Sequence, residues 1–134
     1  MYLIYQPEGA EEPQRFLYKP QKLMAPEREA LERRSKMDFS DFTKGVLNGN
    51  AVCRRALLWV MLKRQHPVMK FEDVDFAWDE LRLEYSRQEL TLMRDQLIDA
   101  GNADPEQIDS LNREIATAID EQATEGKALP PIAV

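Results

Sequence analysis

One cysteine, one histidine and 5 glycines are all that this chain of 134 residues contains. Cys53 alone can form neither an intrachain disulfide nor a cysteine metal cluster. Inside an apolar stretch it reads as a small buried hydrophobe, and a reducing cytoplasm fits. His66 alone would have to serve any Ser-His-Asp or Cys-His scheme, and no serine lies in a nucleophile elbow. Placed before Pro67, it reads as a helix-end residue favouring the C-terminal dipole. No glycine falls at P-loop or dinucleotide spacing, so there is no phosphate cradle. No apolar run is long enough for a transmembrane helix. The opening residues MYLIYQPEG lack the basic and long apolar regions of a signal peptide. Positive charge is short as well: 18 Lys and Arg stand against 24 Asp and Glu, a net charge of -6. That balance argues against nucleic acid, whose binders neutralise phosphates.

What the chain does have is a central apolar run, Ala56 to Leu62, with Trp59 in its middle and Arg54, Arg55, Lys63 and Arg64 at its ends. Such a run, bounded by charge, predicts a buried core helix, capped by Asn50 and stopped before Pro67. A helix apolar nearly all round must be covered on most faces. The expected core is Trp59, Leu58, Leu62, Phe42 and Phe76.

Tyr2 to Tyr5 and Arg15 to Tyr18 predict a short β-hairpin around the turn-rich PEGAEEP. Two strands alone are marginal in water, so the hairpin must lean on helices or on a partner. A first helix follows near Pro26, with Met24, Ala30 and Leu31 inward and acids before bases along it. Asp38 is placed to cap a second helix, which Gly45 weakens and Asn48-Gly49 ends. Residues 68–85 carry both strand alternation and helical pairs; irregular or short helical structure is preferred there, its aromatics docking beside Trp59. Ser86 and Glu89 form a capping box for a helix with Leu90, Met93 and Leu97 inward, ending near Gly101. Asp104-Pro105 opens a last helix with the narrow stripe Ile108, Leu111, Ile115 and Ile119, ended by Gly126. The fold class is therefore mainly α, with an N-terminal β-hairpin and a C-terminal αα-hairpin. Residues 1–100 are expected to form the core domain, 101–126 a separable C-terminal helix, and 127–134 a disordered tail.

The acids Glu72, Asp73, Asp75, Asp79 and Glu80 lack EF-hand spacing and read as a solvated face. The basic pairs flanking the core run could hold phosphate, but capping and surface ion pairs are the simpler reading. Met24, Met37, Met61, Met69 and Met93 either fill the core or offer an adaptable apolar surface. No residue is assigned a catalytic, metal or cofactor role, and no cofactor is expected. The stripe Ile108, Leu111, Ile115 and Ile119 is the first candidate for binding a helical partner; burial against Leu90, Met93 and Leu97 is the alternative.

From Phe16 to Phe76 the chain resembles the tail assembly chaperones of long-tailed bacteriophages, especially those of actinobacterial hosts. The residues that carry the likeness are Tyr18 and Pro20, Leu23-Met24, Glu29 and Glu32, Met37 to Phe39, Gly49-Asn50, Ala56 to Arg64, and Phe71 to Phe76. The resemblance implies a non-catalytic protein of the infected cell's cytoplasm. It would hold a long, helical, apolar tape-measure protein in solution until tail-tube subunits polymerise around it, and be missing from the finished virion. A tape-measure protein is thus the implied partner, with a tail-tube protein and self-association also open. A head–tail connector or minor virion protein is the other reading. The family also implies a longer form made by ribosomal frameshifting. Glu125-Gly126-Lys127 can be encoded by a slippery heptamer, and the idea requires one in the codons from Glu121 onward.

Overall fold

The computed structural model of the chain describes residues 1–122. The expected end of the last helix at Gly126, the tail and the Glu125-Gly126-Lys127 site lie outside them. Three strands, β1 (Tyr2–Tyr5), β2 (Gln14–Leu17) and β3 (Leu81–Glu84), form one antiparallel sheet in the order β2-β1-β3. Five helices follow the predicted order: α1 (Ala25–Ser35), α2 (Phe39–Leu47), α3 (Ala51–Lys63), α4 (Arg87–Asp99) and α5 (Pro105–Thr117). Single turns of 3-10 helix occupy Pro20–Lys22, Phe71–Asp73 and Trp78–Glu80. The fold is mainly α with an N-terminal hairpin, as the periodicities require. No helix among the described residues is long and apolar enough to cross a membrane.

The chain divides into two compact units, Leu3–Leu83 and Met1–Tyr2 with Glu84 onward. α4 and α5 both belong to the second of these units and pack together.

In the larger unit α1 and α2 both pack on α3. Every α3 residue from Ala56 to Leu62 is buried, as are Cys53, Leu31, Phe42 and Val46. Asn50 caps α3 as its position predicts, its Oδ1 accepting from the Cys53 N–H at 3.0 Å. Three expectations change. Asp38 stands at the N-cap of α2 but its side chain makes no capping bond; the Glu32 carboxylate accepts the Phe39 N–H at 2.9 Å instead. Met24 is 68% exposed, and Leu31 alone of its expected trio is fully buried. Phe76 is half-buried, because Val74 takes the inward position of that segment.

Residues 68–85 hold two turns of 3-10 helix and, where irregular or short helical structure is expected throughout, the strand β3. Leu81 is buried there, and Gln6 donates to the Glu80 carbonyl at 2.8 Å just beyond the β1 pairing. β1 has its second edge filled by β3, which satisfies backbone groups that the hairpin alone would leave open.

Gly45 does more than weaken α2. A Cβ built there would lie 2.7 Å from Cys53 Sγ, so the glycine lets α2 approach α3. Gly45→Ala gains about 1 kcal/mol of helix propensity and meets about 1–3 kcal/mol of overpacking. Net destabilisation is expected, relieved in a Gly45→Ala/Cys53→Ala double variant. Chemical denaturation of the four-member cycle checks the coupling; additive effects would remove the close approach as the reason for glycine.

In the smaller unit, Ser86 caps α4 reciprocally with Glu89: Ser86 Oγ accepts the Glu89 N–H at 3.1 Å and Glu89 accepts the Ser86 N–H at 2.9 Å. Asp104 caps α5. This helix stops at Thr117. The Arg87 N–H donates to the Ile119 carbonyl at 2.8 Å, and its guanidinium donates to the carbonyls of Ile115 and Ala118 at 3.2 and 3.4 Å. Those bonds turn the chain out of the helix. Ser86 Oγ then donates to Glu121 at 2.7 Å, and both residues are buried.

Candidate partner-binding site

α4 and α5 form a helical hairpin of low burial. α5 has no buried residue, and α4 has one, Leu90. Ile108, Leu111 and Ile115 are half-buried, as are Met93 and Leu97. Their spacing is that of two facing stripes, and the two helices pack together. Ile119 is also half-buried but belongs to the extended segment after α5, so the helical stripe is three residues long. Polar contacts border it: Arg94 Nη1 donates to Asn112 Oδ1 at 2.9 Å, and Gln88 pairs with Asp120. Leu92 and Ile98 stand 59% and 50% exposed on the outer side of α4. Among the described residues the seam is bordered by one helix on each side, and its apolar side chains are partly covered.

The larger unit offers a different surface. Trp59 donates Nε1–H to the Met69 carbonyl at 3.0 Å, and Phe71 meets its ring edge-on at 5.7 Å. Guanidinium and ammonium groups cover these rings: Arg34 lies 5.4 Å from Trp59 and 4.8 Å from Phe71, Lys63 lies 5.0 Å from Trp59, and Arg55 4.4 Å from Phe71. Of the aromatics expected beside Trp59, Phe71 docks there. Phe76 and Trp78 stack on each other at 6.4 Å instead, with Arg54 over Trp78. A cleft of about 290 Å³ beside Trp59 is lined by Pro26, Ala30, Val60 and Pro67.

The basic pairs are therefore engaged in structure. Arg54 donates to the Val46 carbonyl at 2.9 Å, Arg55 to those of Val74 and Phe71, and Arg64 forks onto both Glu27 oxygens at 2.9 and 3.0 Å. The sequence reading missed this use of Arg54 and Arg55. The available signal was their place at the start of a buried helix that must be joined to an aromatic-rich segment. Among the acids, Asp73 accepts the Lys70 N–H and Glu80 accepts those of Ala77 and Glu8. These bonds hold the Glu80 carboxyl below its usual value, the Ala77 N–H first. Among the described residues no three of His, Cys, Asp or Glu converge as a metal group would require. His66 is exposed one turn past α3, its N–H bonded to the Leu62 carbonyl. Burial pushes the Cys53 thiol up, away from reactivity. Met61 is 2% exposed and belongs to the core, so the methionines do not share one surface.

Glu27 gives a pH test. Its carboxyl is held below 4.5, chiefly by the hydrogen bonds from Arg64, against an opposing effect of burial. A depressed carboxyl stabilises the fold above its unfolded pKa, and that stabilisation is lost as pH falls through the lower folded value. Arg64 is 45% exposed, so the pair contributes at most about 1 kcal/mol at neutral pH. Arg64→Ala is expected to move the Glu27 midpoint upward in carboxyl NMR titration and to flatten the loss of stability below about pH 4.5. An unmoved midpoint would show that Arg64 does not set it.

No family model, curated protein or solved structure matches the chain.

Proposed function

We propose that this protein is a non-catalytic assembly chaperone of the phage tail type, binding an apolar helical segment of a tape-measure protein along the α4–α5 seam. The observation that carries the reading is the seam itself: a helical hairpin in which no α5 residue is fully buried and whose apolar stripe keeps part of its surface open among the described residues. The resemblance in residues 16–76 supplies the partner. Of its residues, Tyr18, Leu23 and Ala56 to Leu62 are buried in the larger unit, and Asn50 caps α3. A net charge of -6 suits a carrier that must keep an aggregation-prone client dispersed.

Ile115→Asp places a charge in the middle of the seam. In co-purification with a phage tape-measure protein, retention is expected to fall at least tenfold, the scale of a lost hot-spot residue. The thermal melt of the variant alone must stay cooperative. A collapsed melt would make Ile115 an element of hairpin stability, and unchanged retention would remove the seam from binding. Mass spectrometry of purified virions separates the connector reading: a chaperone is missing from the particle, and a connector or minor virion protein is present at fixed stoichiometry.

A further inference from the structure

We propose that the cleft between α1 and α3 binds a small aliphatic carboxylate. The proposal does not rest on the tail-chaperone reading, whose seam lies in the other unit. The cleft measures about 290 Å³ and lies between the start of α1 and the end of α3. Its walls are apolar: Pro26 and Ala30 from α1, Trp59 and Val60 from α3, and Pro67 beyond it. Apolar walls with a few convergent polar groups make up most small-ligand sites, and this volume is at the floor of their range, roughly 300–1,000 Å³. The walls are also fixed in place. Trp59 is tied through Nε1–H to the Met69 carbonyl and met edge-on by Phe71. Arg64 forks onto both Glu27 oxygens and so joins the end of α3 to the first turn of α1. A cleft held this way loses little freedom when a ligand enters.

Charge selects the ligand. The lining carries Lys63 and Arg64 against Glu27, which leaves it positive in a chain whose net charge is -6. Glu27 and Arg64 neutralise each other. Lys63 lies 5.0 Å from the Trp59 ring and has no carboxylate partner among the described residues. An aromatic ring attracts a cation without cancelling its charge. Arg34, the other cation over Trp59, is matched by Glu72 at 3.4 Å. The unmatched charge at the cleft is therefore the Lys63 ammonium, and its complement is an anion with an apolar body. A polypeptide would also bring amide groups that need partners in the cleft. The other polar groups there are committed, Glu27 and Arg64 to each other and Trp59 Nε1 to Met69. A free acid brings only its carboxylate, which Lys63 can meet.

The test titrates the full chain with hexanoate and follows its two indole N–H resonances, with hexanol and hexylammonium as controls. Hexanoate should shift the Trp59 resonance saturably and leave that of Trp78, which is not in the cleft lining, in place. Both controls should bind about fivefold more weakly or less. Lys63→Gln changes an exposed side chain and keeps its stem. It should weaken hexanoate binding about fivefold, the upper end for an exposed ion pair. A stationary Trp59 resonance, equal affinity for hexanol, or unchanged affinity in Lys63→Gln would each overturn the proposal. A peptide ending in leucine that binds more tightly than hexanoate would overturn the free acid as ligand and give the cleft to a chain end.

Discussion

Trp59→Ala is expected to cost about 3–5 kcal/mol, the range for a large aromatic removed from a packed core. The indole is 7% exposed and carries a hydrogen bond to Met69 that no alanine can replace. Phe71 would lose its edge contact, and Arg34 and Lys63 would lose the ring they lie over. For a domain of this size such a loss lowers Tm by more than about 10 °C. Trp59→Phe keeps a ring and drops the Nε1 bond, so it should cost about 1–2 kcal/mol. Equilibrium denaturation of both variants measures the ladder. Tryptophan emission in a Trp78→Phe background gives an independent reading, because the native Trp59 must emit as a buried indole. Emission typical of exposed indole would deny α3 its central place.

Arg55→Ala is the second large effect. Its Nε donates to the Val74 carbonyl at 2.7 Å and its Nη2 to the Phe71 carbonyl at 3.3 Å, while the guanidinium faces the Phe71 ring. Val74 is 2% exposed, so its carbonyl would lose its partner out of reach of bulk water. Charge-assisted bonds of this kind contribute about 1.5–3 kcal/mol, and a stranded buried acceptor costs about 1–3 kcal/mol. The net expectation is a loss of about 2–3 kcal/mol. It should concentrate in residues 71–76, which Arg55 ties to α3. Hydrogen exchange should show protection falling there before it falls in α1 or α2. Arg55→Lys should restore less than half, since an ammonium cannot fork onto two carbonyls in the fixed geometry of a guanidinium. Uniform loss of protection across the larger unit would show that Arg55 contributes to the whole core and not to that segment.

These two residues also mark what could and could not be read from the chain. Trp59 was legible because local rules suffice: an apolar run flanked by charge, a cap at Asn50 and a stop at Pro67 define a buried helix without reference to anything distant. Ser86 with Glu89 and Asp104 with Pro105 were legible for the same reason. Arg55 was not, because its role depends on carbonyls 16 and 19 residues away. The end of α5 at Thr117 has a similar cause. Apolar spacing continues to Ile119, but Arg87, about thirty residues earlier, captures the carbonyls that would have continued the helix. β3 is four residues long and its alternation competes with helical pairs. What selects a strand is the open edge of β1, which no local window contains. Asp38 lost its expected cap to Glu32, a choice made by how α1 meets α2. Of the candidate site, the positions Ile108, Leu111 and Ile115 followed from spacing alone. Their incomplete burial, on which the proposed function turns, depends on how closely α4 packs and became visible only in the fold.

The proposed function is tested most directly by light scattering of the tape-measure protein diluted from denaturant into buffer containing this chain. With the wild-type chain in stoichiometric amount, scattering should stay near the buffer baseline. With Ile115→Asp it should rise as it does with no chaperone present. Equal suppression by both proteins would exclude the seam as the binding face, and aggregation undiminished by the wild-type chain would contradict the chaperone reading itself.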